Sequence, residues 1–183
     1  IDLKKEKSSE ELSQTVTRMT DTLFHRGPDG GDVWVDGNAH IALGHRRLAI
    51  VDLSAAGHQP MTSHDGRYMI VYNGEVYNAG EIRDDLIKKG HVFAGHSDTE
   101  VILNSFSEFG IEATVKRLIG MFAIALWDKK EQLLTLIRDR IGIKPMYWGQ
   151  DEHHFFFASE LKAFHQLPHF NPTISKSAIA AYL

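Results

Sequence analysis

Two apolar runs, Met121 to Trp127 and Leu133 to Ile137, flank the polar tetrapeptide Asp128-Lys129-Lys130-Glu131. That spacing predicts an antiparallel β-hairpin, and so a sheet around which the rest of the chain must be arranged. Shorter β-type runs stand upstream at Val33-Trp34-Val35, Ala39 to Leu43, Leu48 to Val51 and Arg67 to Tyr72, and a last one at Phe155 to Ala158. Helical signals fall between them. Ser8-Ser9-Glu10-Glu11 has the Ser-x-x-Glu form of a capping box, followed by Leu12, Val16, Met19 and Leu23 at helical spacing, with a stop near Arg26-Gly27-Pro28. Asn78 is placed to cap a helix carrying Ile82, Leu86 and Ile87; Ser97-Asp98-Thr99-Glu100 repeats the capping-box form before Val101, Ile102, Ser105, Phe106 and Phe109. A short helix from Ser159 to Phe164 is expected after the last strand. Helices and strands come in blocks rather than in strict alternation, which predicts an α+β fold with helices on the outer faces of the sheet.

A chain of 183 residues with 43% hydrophobic content is enough for one domain with a full core. Its net charge of −4 gives no reason to expect nucleic acid or an acidic membrane surface as partner. No apolar run approaches bilayer-spanning length and the first residues do not form a signal peptide, so a cytoplasmic protein is the expectation. There is no cysteine, which removes disulfides, thiolate metal sites and any thiol nucleophile from these residues. The 11 histidines are scattered, and neither His153-His154 nor His91 with His96 has the helical spacing of a ligand pair; no metal is expected.

Chemistry is concentrated in three segments. Asn73-Gly74 closes the apolar run ending at Tyr72. Taken alone, the pair is first a type I′ hairpin turn, since both residues tolerate positive φ. Its other reading is an oxyanion hole, a carboxamide beside an unobstructed backbone N–H. In Gly44-His45-Arg46-Arg47, two adjacent arginines entering a strand point to opposite faces. An exposed salt bridge is the default for either, and a carboxylate clamp is the alternative for Arg47. Asp98 is either a first-turn helix stabiliser or a ligand for an ammonium group.

These segments occur in order with His25-Arg26-Gly27-Pro28-Asp29, Gly44 to Asp52, Asn73-Gly74-Glu75-Val76-Tyr77-Asn78, Gly120-Met121-Phe122-Ala123 and Arg138-Asp139-Arg140-Ile141-Gly142-Ile143-Lys144-Pro145-Met146-Tyr147. Over nearly its whole length the chain thereby resembles the class II glutamine amidotransferase domain, in the branch of glutamine-hydrolysing asparagine synthetases. The resemblance implies an N-terminal nucleophile hydrolase fold, a four-layer αββα sandwich of two antiparallel sheets. It implies hydrolysis of glutamine to glutamate and ammonia for ATP-dependent amidation of aspartate or another carboxylate. Under it, Arg47 holds the substrate α-carboxylate with help from backbone groups of Leu48 and Val51. Asp98 and the Glu75 region take the α-ammonium, and Asn73 and Gly74 form the oxyanion hole. No cofactor is implied for this domain; ATP and Mg belong to a following ATP-pyrophosphatase synthetase domain, whose Ser-Gly-Gly loop these residues do not contain. A homodimer is compatible with the resemblance.

The family attacks with the thiol of an N-terminal cysteine, and residue 1 here is Ile1. Ile1-Asp2-Leu3-Lys4 looks like the end of the family's first strand, so about half a dozen residues carrying the nucleophile are expected ahead of it. As given, the chain is expected not to hydrolyse glutamine. The competing reading is a non-catalytic domain with a structural or regulatory role, as in relatives that lack the nucleophile, such as β-lactam synthetase. A metal-dependent hydrolase built on the histidines is a third and poorly supported reading.

Overall fold

The structure is a computed structural model and describes residues 1–48, 55–168, 170–173 and 175–182. The elements run α1 (Ser9–Asp21), β1 (Gly30–Asp36), β2 (Ile41–Arg47), β3 (Met61–Thr62), β4 (Tyr68–Val76), α2 (Ala79–Lys88), α3 (Asp98–Phe109) and α4 (Ile111–Arg117). They continue through β5 (Gly120–Asp128), β6 (Leu133–Arg138), β7 (Tyr147–Gln150), β8 (Phe155–Ala158), a 3-10 helix at Leu161–Gln166 and α5 (Lys176–Tyr182).

The predicted hairpin is β5–β6, and it forms one side of an antiparallel sheet ordered β3-β4-β5-β6. Asp128 makes the turn: its Oδ1 accepts from the Lys130 and Glu131 backbone N–H groups, while Arg67 donates from its Nε and Nη2 to the same carboxylate. Period-two alternation assigns the faces of β4 and β5. Tyr68, Ile70, Tyr72, Phe122, Ile124 and Leu126 pack with Ile82, Leu86, Ile102 and Phe106 of α2 and α3. Met69, Val71, Ala125 and Trp127 pack on the opposite face with Ile41 and Leu43 of β2. Two further antiparallel pairs, β1-β2 and β7-β8, lie on that side, with α1 and the 3-10 helix outside them; Met19, Phe156 and Phe164 form their common cluster. The layers are therefore helix, strands, strands, helix, the expected αββα arrangement.

The β2 and β8 edges bracket a gap. At one end of it Ile1–Leu3 bonds to both sides: Asp2 N donates to the His40 carbonyl at 2.9 Å, Leu3 N to the His153 carbonyl at 2.7 Å and Phe155 N to the Ile1 carbonyl at 3.1 Å. Asp2 and His154 form an antiparallel bridge. Beyond them, β2 pairs with β1 and β8 with β7, and the facing edges carry no other described strand.

Several local expectations need correction. Asn73-Gly74 is not a turn: β4 runs straight through it to Val76, with Asn73 opposite Ala123 and Gly74 opposite Phe122. Long-range pairing with β5 overrides the local turn preference. Asn78 precedes α2 without capping it; its side chain instead donates to the Arg117 carbonyl and accepts from Ile119 N–H, tying α4 to β5. Ser8 and Glu11 form the full capping box. At α3 only half of one forms, because Glu100 turns back to the Ala94 and Gly95 N–H groups. The Ala39 to Leu43 run lies in β2, which extends to Arg47; of the expected Leu48 to Val51 strand, Leu48 is not in a strand and the rest lies outside the described residues.

Candidate active site

A cavity of about 590 Å³ occupies the gap between β2 and β8 and continues to the edge of β4. Its walls are apolar along the trough, from Leu12, Val16 and Met19 of α1, Val71, Ala123 and Ala125 of the central sheet, and Phe156. At the end next to β4 the lining turns polar, with His45, Arg47, Gln59, Tyr72, Asn73, Gly74, Glu75, Asp98 and Thr99.

Strand geometry explains why these groups converge. On β2, His45 and Arg47 share the face of the buried Ile41 and Leu43. Arg46 takes the other face, toward α1, where it pairs with Asp21, donates to the Thr20 carbonyl and lies over the Phe24 ring. The expected opposition of the two arginines holds, with Arg46 in the salt bridge and Arg47 lining the cavity. Asn73 shares the face of Met69 and Val71, which look toward β2. Backbone alternation acts on Gly74. The N–H groups of Tyr72 and Val76 point to the edge of β4 away from β5, since Tyr72 N donates to Gln59 Oε1 at 2.6 Å and Val76 N to Asp98 Oδ2 at 3.1 Å. Gly74 lies between them in the same alternation, so its N–H points to that edge as well, and no described residue accepts it.

Glycine is required at this position by close approach. A Cβ on Gly74 would collide with the Met121 carbonyl oxygen and stand 2.8 Å from Phe122 Cα. Asp98 is the first residue of α3, as the capping pattern predicts, and takes on more than dipole stabilisation there: its Oδ2 also accepts from the Tyr72 hydroxyl at 2.6 Å. Burial raises the Tyr72 phenol far above its ordinary range, and the adjacent Asp98 charge adds to this. The hydroxyl therefore stays protonated and serves as a donor.

The structure thus brings Arg47, Leu48, Asn73, Gly74, Glu75 and Asp98 to one cavity. Val51 lies outside the described residues. Sequence reasoning passed over His45, Gln59, Tyr72 and Thr99. For His45 the signal was present, since a residue two positions before Arg47 in a strand must share its face. For Gln59 none existed: it comes from a loop, and its Nε2 donates to Thr99 Oγ1 at 3.2 Å. Burial pushes the His45 imidazole down to about 4, and the Arg47 charge adds to this against the bond it makes to the Tyr72 carbonyl. Among the described residues, no cluster of His, Asp and Glu has the geometry of a metal site, and no helix is long and apolar enough to cross a membrane.

Comparison with known proteins agrees with this geometry. The chain is 43% identical over 182 residues to asparagine synthetase [glutamine-hydrolyzing] 3 of Bacillus subtilis (strain 168), covering 98% of this chain and 29% of that protein. It is 36% identical to the putative asparagine synthetase [glutamine-hydrolyzing] 2 of Methanocaldococcus jannaschii, covering 94% of this chain and 36% of the relative. The chain therefore spans roughly a third or less of these relatives' length. Among solved structures, the glutamine phosphoribosylpyrophosphate amidotransferase of B. subtilis, in complex with ADP and GMP, superposes with a TM-score of 0.71 at 21% identity, over 84% of this chain and 40% of that one. At that identity the likeness concerns the fold, and the fold is that of the N-terminal nucleophile hydrolases. A model of the glutamine amidotransferase domain matches residues 3–183, and this chain belongs to that family.

Proposed function

We propose that the chain is the glutaminase domain of an asparagine synthetase-like enzyme, which hydrolyses glutamine to glutamate and ammonia. The observation that carries this reading is the convergence of a cation, a carboxylate and two oxyanion donors on one end of the cavity. Arg47 takes the substrate α-carboxylate in a bidentate pair, with backbone help from Leu48 and Val51. Asp98 and Glu75 take the α-ammonium. The side-chain amide then extends toward β4, where the Asn73 carboxamide and the Gly74 N–H stabilise the oxyanion of the tetrahedral intermediate; one such donor contributes about 3 kcal/mol.

The attacking thiol comes from outside these 183 residues, which contain no cysteine. The trough gives it a route. Residues 1–3 already bond to His40, just ahead of β2, and to His153 and Phe155 at the start of β8, so an extended segment preceding Ile1 would continue between Ile41–Arg47 and Phe155–Ala158, joining the two strand pairs into one sheet. About six residues at ~3.3 Å each reach ~20 Å, the length of the seven-residue β2. That places the head of the segment beside Arg47, Asn73 and Gly74. Its thiolate attacks the amide carbon, ammonia leaves with a proton returned by the segment's α-amine, and water hydrolyses the thioester to glutamate. The ammonia serves ATP-dependent amidation of aspartate or another carboxylate in a synthetase domain, where ATP and Mg bind.

A second reading, a non-catalytic domain, is favoured only by the absence of cysteine. One experiment separates them. Glutamate release is measured for the parent protein with its native N-terminus and for this 183-residue polypeptide. The proposal expects glutamate from the first and none above buffer from the second. Release by the short polypeptide contradicts the assignment of the nucleophile, and none from the parent contradicts the glutaminase.

A further inference from the structure

The residue immediately before the Asn73-Gly74 pair is held at three points. Its N–H donates to Gln59 Oε1 at 2.6 Å, its hydroxyl to Asp98 Oδ2 at 2.6 Å, and its carbonyl lies 3.1 Å from His45 Nε2. β3 does not supply these restraints, because it pairs with β4 only at Met69 and Ile70. From Tyr72 onward the open edge of β4 is therefore held by side chains rather than by a neighbouring strand.

Of the three bonds, the one from His45 acts most directly on the oxyanion donors. The Tyr72 carbonyl and the Asn73 nitrogen belong to one rigid peptide plane. Fixing that oxygen fixes the rotation with which the chain enters Asn73, and hence where the carboxamide projects and how the Gly74 N–H is aimed. Positioning of this kind matters because oxyanion stabilisation depends on donors lying 2.7–3.1 Å from a site that fills only in the transition state. The tautomer follows from the geometry. A carbonyl only accepts, so Nε2 carries the hydrogen. With the imidazole neutral around pH 7, Nδ1 is left as a bare acceptor, buried and without a partner among the described residues. A solvated or purely packed histidine has no need of that arrangement.

Resting on the glutaminase reading, we propose that His45 is a positioning residue of this site: its Nε2–H holds the Tyr72 carbonyl and so sets the geometry of the Asn73 and Gly74 oxyanion donors. It touches neither the substrate nor the reacting atoms in this role. Its loss should therefore lower kcat while leaving substrate affinity nearly intact.

The test compares His45→Gln with His45→Met in the parent protein with its native N-terminus. The two side chains have similar length and differ in whether they present an N–H where Nε2 stood. The Met variant is expected to lose roughly 10- to 100-fold in kcat for glutamine hydrolysis, with KM within about threefold of wild type. The Gln variant should recover most of that loss. Equal losses in both variants, wild-type kcat in the Met variant, or a KM effect as large as the kcat effect would overturn the proposal. Should the Met variant fail to fold, a folded Gln variant is expected to stay within about tenfold of wild type, and a larger loss overturns it. A wild-type protein that releases no glutamate contradicts the glutaminase reading instead. The clamp is then read from amide hydrogen exchange at Tyr72 and Asn73, expected to be about tenfold faster in the Met variant and contradicted by unchanged exchange.

Discussion

Gly74 meets a packing demand that is independent of the chemical role proposed for its N–H. The Met121 carbonyl oxygen and Phe122 Cα leave no room for a Cβ at this position. Gly74→Ala must therefore push β4 and β5 apart near the Val76–Gly120 end of their pairing, and should destabilise the domain by about 2–3 kcal/mol as well as misdirect the N–H. A urea-unfolding midpoint indistinguishable from wild type would contradict this packing argument. Asn73 is under no such constraint, because its side chain faces the cavity. The pair shows where local reading misleads: Asn-Gly at the end of an apolar run favours a tight turn, and only the nine-residue register with β5 keeps it extended. Nothing within a few residues of Asn73 encodes that register.

Among the elements, the loop after β6 depends on a single side chain. Asp139 is buried, and its carboxylate accepts from the Phe122, Ile143 and Lys144 backbone N–H groups. Burial by itself would raise its pKa, but these backbone donors outweigh that and hold it below the usual carboxylate range. Replacing it with Ala leaves three donors unpaired, so Asp139→Ala should cost at least about 3 kcal/mol, read from thermal or urea unfolding. Ser8→Ala removes the capping box of α1 and should cost only about 1 kcal/mol. A larger loss from the cap than from Asp139 would reverse this account. The two sites also differ in legibility. The Ser8 and Glu11 box was readable because capping acts within one turn. Asp139 was recognisable only as part of a motif, since its Phe122 partner is set by the hairpin register. The α4 helix and the short β3 and β7 strands went unread for a related reason: each is brief and held by tertiary packing rather than by its own pattern.

At the scale of the whole molecule, the residues made an α+β fold with outer helices legible, and the four-layer order followed from the family resemblance; the apolar runs of β4 and β5 are continuous because one face meets α2–α3 and the other β2. The trough was not legible, being a property of two strand edges far apart in sequence. The same burial gives an acid response with two stages. His45 is depressed to about 4 by burial, against about 6.5 in an unfolded chain. Its contribution is intact above ~6.5 and is lost as pH falls toward ~4, because only the unfolded chain takes up the proton in that window. The loss is on the order of 3 kcal/mol at most. Asp139 and Asp128, held low by their hydrogen bonds against the cost of burial, act later: their contribution erodes once pH falls below ~4. Urea midpoints should therefore fall between about pH 7 and pH 5 in wild type, and fall less in His45→Gln. An identical slope in the two proteins would show that His45 is not the group responsible.

On the proposed reading, the cavity end at Arg47, Asn73, Gly74 and Asp98 divides its work between holding an amino-acid head group and stabilising an oxyanion. Steady-state glutamine hydrolysis by Arg47→Ala and Asn73→Ala variants of the parent protein, with its native N-terminus, tests that division most directly. The KM for glutamine is expected to rise by roughly 10- to 100-fold in the Arg47 variant, with kcat largely kept. The kcat is expected to fall by about 100- to 1,000-fold in the Asn73 variant, with KM largely kept. Two variants that shift KM and kcat in the same proportion, or an Asn73 variant that turns over like wild type, would contradict that division.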